Sequence, residues 1–157
     1  MSSAAPPPLV QPAAMAQADR LRRFVNGVSH RQGATLSQME EAGVTLPQVL
    51  VMARVQAAGA VSISDLAKDS PSSSAAMSQM VDRLVRRSWL SRCEDAADRR
   101  RSTVALTDAG AGLLSDLERA RALDYAAGLA QLSPDLRATL DEWLDRALAE
   151  LDCGGPP

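Results

Sequence analysis

The chain has 157 residues, 46% of them hydrophobic but only 3% aromatic, and it carries a formal net charge of −2. This composition favours one domain with an aliphatic core of packed helices, and it argues against a β-sandwich or a protein that stacks single-stranded bases on aromatic rings. No apolar run approaches the roughly 18 residues of a membrane span, and the N-terminus lacks the features of a secretory signal. Two cysteines do not make a disulfide framework, so we predict a cytoplasmic location and no membrane contact.

The first third of the chain predicts a tail followed by two helices. Residues 1–12 are rich in proline and alanine and are expected to be disordered. Apolar positions recur at helical spacing over about residues 15–30, and this pattern breaks over residues 33–43, where we expect a turn. Thr45 then caps a second helix, which covers about residues 48–57.

Two further helices joined by a short turn indicate a helix-turn-helix. Ser62 to Asp65 offers a cap for the first, residues 66–68, and the second extends from about Ser73 to Arg87. The apolar face of the second helix consists of Met77, Met80, Val81, Leu84 and Val85. Its other face is polar and partly basic: Ala75, Ala76, Ser78, Gln79, Asp82, Arg83 and Arg86. A helix of this kind fits the major groove of duplex DNA.

A β-hairpin with an arginine-rich tip follows this helix directly. Residues 89–94 and 102–106 are predicted to form its strands, and Asp98-Arg99-Arg100-Arg101 lies at its tip. From Arg83 to Arg101 there are seven arginines and three acidic residues, whereas residues 108–157 contain four arginines and ten acidic residues. A basic segment on an acidic body is typical of a protein that contacts DNA with one face.

Two long helices with apolar stripes are predicted in the last third. Thr107 caps the first, which reaches about Leu129, and Ser133-Pro134 begins the second, whose stripe ends at Leu151. We expect these helices and the N-terminal one to form a dimer interface, because DNA-binding modules of this size commonly bind two half-sites as symmetric dimers. Packing within one chain is the alternative.

These elements predict a mainly α fold with a small β-wing, namely a winged helix-turn-helix flanked by N- and C-terminal dimerisation helices. One domain is expected over residues 13–151. Its winged helix-turn-helix, the part expected to contact DNA and here called the reading head, is placed at about 45–107. The dimerisation helices are placed at about 15–32 and 108–151, and a tail covers residues 152–157.

Four linked sequence signals lie between Ser64 and Gly110. They are Ser64-Asp65-Leu66-Ala67, Ser78-Gln79-Met80-Val81-Asp82-Arg83-Leu84, Asp95-Ala96-Ala97-Asp98-Arg99-Arg100-Arg101 and Val104-Ala105-Leu106-Thr107-Asp108-Ala109-Gly110. In order and spacing they resemble the MarR family of bacterial transcriptional regulators. The resemblance implies an interlocked homodimer that places the second helix in the major groove and the wing in the minor groove, and that responds to a small molecule or an oxidant. Ser88 departs from the family pattern, which has a glycine there.

Eleven residues are candidates for DNA contact: Ser72, Ser73, Ser74, Ala76, Ser78, Gln79, Arg83, Arg86, Arg99, Arg100 and Arg101. Free N–H groups at a helix start bind phosphate, glutamine can pair with adenine, and arginine binds guanine or a narrow minor groove. The family resemblance makes Arg100 the strongest candidate at the groove, with Asp98 orienting a neighbouring arginine. The alternative roles are a helix cap for the serines and a solvated turn for the wing arginines.

Other chemistry has weaker support in the sequence. Arg23, Phe24, His30 and Met52 are candidate ligand contacts, for which ordinary packing or exposure is the alternative. Cys93 and Cys153 are candidate redox residues, although a small strand residue and a tail thiol are the simpler interpretations. The single histidine and the absence of a Cys/His cluster argue against a metal site, and no catalytic motif or cofactor-binding motif is present.

The sequence therefore predicts a dimeric, sequence-specific DNA-binding transcriptional regulator and not an enzyme. Its partners would be a pseudo-palindromic double-stranded operator, a second copy of the chain and a small-molecule effector that releases it as a repressor. A thiol-based redox regulator on the same fold and a winged-helix module that binds a protein are the alternatives.

Overall fold

The computed structural model describes residues 12–29, 33–68, 70, 73–94 and 102–153. Within these ranges it contains seven helices and three short strands. In chain order they are α1 (Pro12–Ser29), α2 (Ala34–Ala42), α3 (Leu46–Ala58), β1 (Ala60–Ser62), α4 (Ile63–Lys68), α5 (Ser74–Arg86), β2 (Leu90–Glu94), β3 (Ser102–Leu106), α6 (Asp108–Leu129) and α7 (Pro134–Cys153). The predicted class, mainly α with a small antiparallel sheet, is confirmed. None of the helices in the described residues combines the length and apolarity needed to span a bilayer.

The chain divides into two compact units. The central unit comprises Ala34–Arg121, and the terminal unit comprises the described residues before and after it. Helix α6 contributes to both units, because the boundary at Arg121 falls within it. Besides residues 45–107, the central unit contains α2 and the part of α6 that ends at Arg121.

The central unit is built around an aliphatic core beneath a three-stranded antiparallel sheet in the order β1-β3-β2. Leu90 pairs with Leu106 and Arg92 pairs with Val104 along the β2–β3 ladder. The side chains of Leu90 and Val104 are almost fully buried, and so are those of Met52, Val55, Leu66, Val81 and Leu84. The face of α5 predicted to be apolar therefore does face the core, and α5 is fixed by packing along most of its length.

Two elements of the central unit were not expected. Residues 33–43 were predicted to break the helical pattern, but α2 occupies Ala34–Ala42 between Gly33 and Gly43, both of which have positive φ. None of the α2 residues is fully buried, so its apolar periodicity is weak. Strand β1 is only three residues long and pairs with β3, which lies far along the chain, so the local sequence carries little signal for it.

Helix starts agree closely with the sequence. The backbone N–H of Thr45 donates to the Gln48 side chain at the start of α3 (2.9 Å). Thr107 Oγ1 accepts from the Gly110 N–H at the start of α6 (3.0 Å), and Ser133 Oγ accepts from the Leu136 N–H at the start of α7 (3.4 Å). These caps satisfy N–H groups that have no partner within the helix, which is why they could be identified from local sequence.

Candidate nucleic-acid interface

Helix α5 presents a polar surface with a capped N-terminus. Ser73 is the N-cap, and its Oγ accepts a hydrogen bond from the Ala76 N–H (3.2 Å). The opposite face is anchored by Met77, Val81 and Leu84, all buried. The predicted contact residues on α5 that are exposed are Ser73, Ser74, Ala76, Gln79, Arg83 and Arg86; Ser78 is half-buried. These candidates for DNA contact therefore lie together on α5, the second helix of the predicted helix-turn-helix, which we call the recognition helix.

Helix α4, which precedes α5, is held at both of its ends. Ser62 Oγ accepts from the Asp65 N–H (3.1 Å) at its start. At its end, the guanidinium of Arg54 on α3 donates to the carbonyls of Leu66 (3.3 Å) and Asp65 (3.2 Å). Because Arg54 reaches carbonyl groups of the last turn, it acts as a C-terminal cap from a different helix. The helix pair is therefore positioned by α3 as well as by the core.

The turn after α5 is a Schellman motif with an unusual residue. The Trp89 N–H donates to the Leu84 carbonyl (3.0 Å), and the Ser88 N–H donates to the Val85 carbonyl (2.9 Å). Ser88 has a φ of 59°, in the left-handed region where glycine is favoured. Ser88 therefore occupies the position at which the family resemblance implies a glycine, and it adopts the conformation that glycine would.

Arg87 connects the end of α5 to α2. Its Nη1 donates to the Ala42 carbonyl (2.8 Å) at the end of α2, and its guanidinium carbon lies 4.9 Å from the centre of the Trp89 ring. The same guanidinium lies close to Gly43, where a Cβ would approach within 3.2 Å. Arg87 was counted among the basic residues of the predicted DNA-binding segment, but its observed contacts are structural.

The predicted wing is partly described. Strands β2 and β3 match the expected hairpin strands, and their last pair is Glu94 with Ser102. The connection between them, residues 95–101, lies outside the described residues, and so does Ser72. The contact roles of Ser72, Arg99, Arg100 and Arg101, and the orienting role of Asp98, therefore stay predictions.

The base of the wing is tied to α5 and α6 by contacts that sequence reasoning missed. Thr107 Oγ1 donates to the Ser88 carbonyl (2.6 Å), and a Cβ on Gly110 would approach within 2.2 Å of the Trp89 carbonyl oxygen. This close approach explains the glycine in the Val104-to-Gly110 signal. Asp82 of α5 and Arg92 of β2 form an ion pair across the outer surface. No local pattern identifies this pair, because its two residues lie on different elements.

Of the candidate ligand residues, Arg23 and Phe24 belong to the terminal unit and Met52 belongs to the central unit. Phe24 lines a groove of about 600 Å³ in the terminal unit with Gln17, Ala18, Arg20, Leu21, Leu140 and Trp143. Arg23 is exposed on α1 and is not among the lining residues. Met52 is fully buried in the core of the central unit, and His30 lies outside the described residues. A ligand role for these four residues stays a prediction.

Cys93 is exposed on β2, and the side chain of Cys153, the last residue of α7, is not described. Within the described ranges there is no group of three or more His, Cys, Asp and Glu residues that could hold a metal ion.

Known sequences match the part of the chain that carries these features. The sequence model of the MarR family matches residues 44–102, which include α3 to β2 and the start of β3. The HTH-type transcriptional repressor MdtR of Bacillus subtilis (strain 168) is 33% identical over 79 residues. That match covers 50% of this chain and 51% of the relative, so it spans about half the length of each.

Solved structures extend the fold similarity to most of the chain. The transcriptional regulator Tm0710 from Thermotoga maritima has a TM-score of 0.76 at 16% identity, covering 89% of this chain and 96% of that one. A mutant MarR from E. coli, complexed with operator DNA, has a TM-score of 0.54 at 25% identity, covering 85% and 95%. These similarities confirm the predicted resemblance to the MarR family over residues 44–102 and the predicted winged-helix fold.

Proposed function

Because residues 44–102 match the sequence model of the MarR family, we propose that the chain is a homodimeric transcriptional repressor that binds a pseudo-palindromic DNA operator. The observation that carries the proposal is the outer face of α5, which exposes Gln79, Arg83 and Arg86 beyond a capped N-terminus. The MarR structure with operator DNA and the repressor relative support the same interpretation.

The chemistry of this face suits a duplex. Free N–H groups at the start of α5 would bind a phosphate, and the Gln79 amide would pair with the edge of an adenine. Arg83, one turn further along, would reach a guanine or the neighbouring phosphate. The wing arginines, Arg99 to Arg101, would add contacts in the adjacent minor groove, where a narrow groove attracts guanidinium groups.

Binding titrations at several salt concentrations test the contact face, using the full-length protein and a genomic fragment that it retains. Arg83→Ala should cost about 1–3 kcal/mol if Arg83 contacts a base, or reduce the salt slope by about one if it contacts phosphate. Arg119→Ala is the matched control, because Arg119 is also exposed but lies on α6 and pairs with Asp116. Equal effects of the two substitutions on affinity and slope would contradict the proposed face.

The terminal unit supplies the proposed dimer interface. Large apolar side chains are exposed along α1 and α7: Met15, Leu21, Phe24, Val25, Leu136, Trp143, Leu144, Leu148 and Leu151. Exposed apolar area on this scale indicates a surface that another chain covers. A second copy is the proposed occupant, because a two-fold dimer presents two α5 helices to two half-sites.

Release by a small molecule is the regulatory part of the proposal. The groove that Leu21, Phe24, Leu140 and Trp143 line has the size and apolar character of a small-molecule site. If a ligand acts there, Phe24→Ala should weaken ligand-dependent release of DNA, measured relative to the ligand-free DNA affinity of the same variant. Release that is unchanged in Phe24→Ala but lost in Cys93→Ser would favour the thiol-switched alternative.

A further inference from the structure

The ion pair between Asp82 and Arg92 joins the outer surface of α5 to the strand that leads into the wing. Asp82 lies one helical turn before Arg86 on the polar side of α5, and Arg92 is the middle residue of β2. Both side chains are about half exposed, with 48% and 43% of their surface accessible. Such a pair contributes little to folding stability, so its presence on a functional face calls for another explanation.

The sheet geometry shows what the pair can do. Leu90 and Arg92 lie on the same face of β2, because side chains alternate along a strand. Leu90 is buried against the core, whereas Arg92, two residues nearer the wing, is exposed. Apolar packing therefore fixes the base of the hairpin, and the contact with α5 continues beyond that point through an ion pair.

We propose that Asp82 is a positioning residue, which fixes the wing strands β2 and β3 relative to α5 by pairing with Arg92. The inference rests on the proposed function, because the pair matters only if α5 and the wing contact one ligand together. The proposal explains why a carboxylate stands on a face that otherwise suits phosphate. It also predicts that loss of the Asp82 charge weakens DNA binding, whereas loss of a negative charge alone would strengthen it.

The test compares DNA affinity in four forms of the full-length protein: wild type, Asp82→Asn, Arg92→Gln and the double variant. Removing a negative charge from a DNA-binding face should strengthen binding if charge alone acts. The proposal predicts instead that Asp82→Asn weakens binding about fivefold, equivalent to the upper end of an exposed ion pair. It also predicts that the same change has no further effect in the Arg92→Gln background.

Two additional variants separate positioning from general damage. Asp82→Glu keeps the charge and should restore most of the affinity. Asp116→Asn removes the acid of a comparable exposed pair, Asp116–Arg119 on α6, and should leave affinity unchanged. Binding by Asp82→Asn that equals or exceeds that of the wild type would overturn the proposal.

Hydrogen exchange of the protein without DNA tests the positioning role of Asp82 separately from the proposed DNA-binding function. In Asp82→Asn, amides of the outer β2–β3 pairs, such as Cys93 with Thr103, should exchange faster, while those of the Leu90–Leu106 pair should not change. Unchanged exchange at the outer pairs would overturn the positioning role. If the outer amides exchange faster in Asp82→Asn but the wild-type protein binds no DNA, the DNA-binding proposal is contradicted. The positioning contact is then still supported.

Discussion

Ser88 shows how a single backbone position affects the end of the recognition helix. Among the described residues it is the non-glycine residue with positive φ, and its carbonyl accepts from Thr107 at the start of α6. The left-handed conformation brings a Cβ too close to the following carbonyl oxygen, which costs about 1–2 kcal/mol. The chain tolerates this cost because the Schellman hydrogen bonds and Thr107 fix the turn.

We therefore expect Ser88→Gly to stabilise the protein. The gain should be about 0.5–1 kcal/mol, because relief of the strained Cβ exceeds the additional flexibility of glycine in the unfolded chain. Thermal unfolding measures the change, and Ser88→Ala is the control because it removes the hydroxyl but keeps the Cβ. Equal stability of the glycine and alanine variants would show that the Cβ at position 88 is not strained.

Residue-scale sequence reasoning succeeded where the cause is local. Ser73, Thr107 and Ser133 were identified as helix caps because a capping side chain bonds an N–H only a few residues away. The Asp82–Arg92 pair was not identified, because it depends on how β2 returns against α5. The wing arginines, Arg99 to Arg101, were identified by spacing and by family resemblance, and their geometry lies outside the described residues.

At the scale of elements, helices with strong apolar stripes were predicted within a few residues of their observed ends. Helix α6 ends at Leu129, as expected, whereas α2 and β1 were missed. Strand β1 forms because Ala60 pairs with Ala105, a contact between residues distant in sequence that no local window contains. Helix propensity and stripe length therefore predicted the long helices, and tertiary pairing decided the short elements.

Packing of α1 against α6 within the terminal unit depends on Gly128. A Cβ built there would lie 2.3 Å from the Val28 carbonyl oxygen and 2.4 Å from the Val28 Cα. These are backbone atoms, so the two helices would have to separate. Gly128→Ala should lower the stability of the terminal unit by about 1–3 kcal/mol, as for an overpacked core.

The matched control is Gly27→Ala on α1, since a Cβ at Gly27 meets no atom within 4 Å. Alanine in a helix is favoured over glycine by about 1 kcal/mol, so this variant should be neutral or more stable. Hydrogen exchange of α1 and α6 amides resolves the two effects. A Gly128→Ala protein with wild-type protection in both helices would contradict the close packing.

At the scale of the whole molecule, the exposed apolar stripe of α7 predicts the assembly state. Leu148→Glu places a charge within this stripe and should shift the protein from dimer to monomer, because an unpaired charge is costly in an apolar interface. Sedimentation velocity measures the change, with Asp141→Ala as a control at an exposed acidic position of the same helix. A wild-type protein that is monomeric, or a Leu148→Glu variant that stays dimeric, would contradict the proposed interface.

We propose that two copies of this chain bind one duplex through paired α5 helices and wings. Selection of genomic fragments bound by the full-length protein, followed by sequencing, tests it most directly. We predict enrichment of an inverted repeat whose half-site centres lie about one helical turn, roughly 10 bp, apart. Recovery of no enriched sequence, or of sites without two-fold symmetry, would contradict the account.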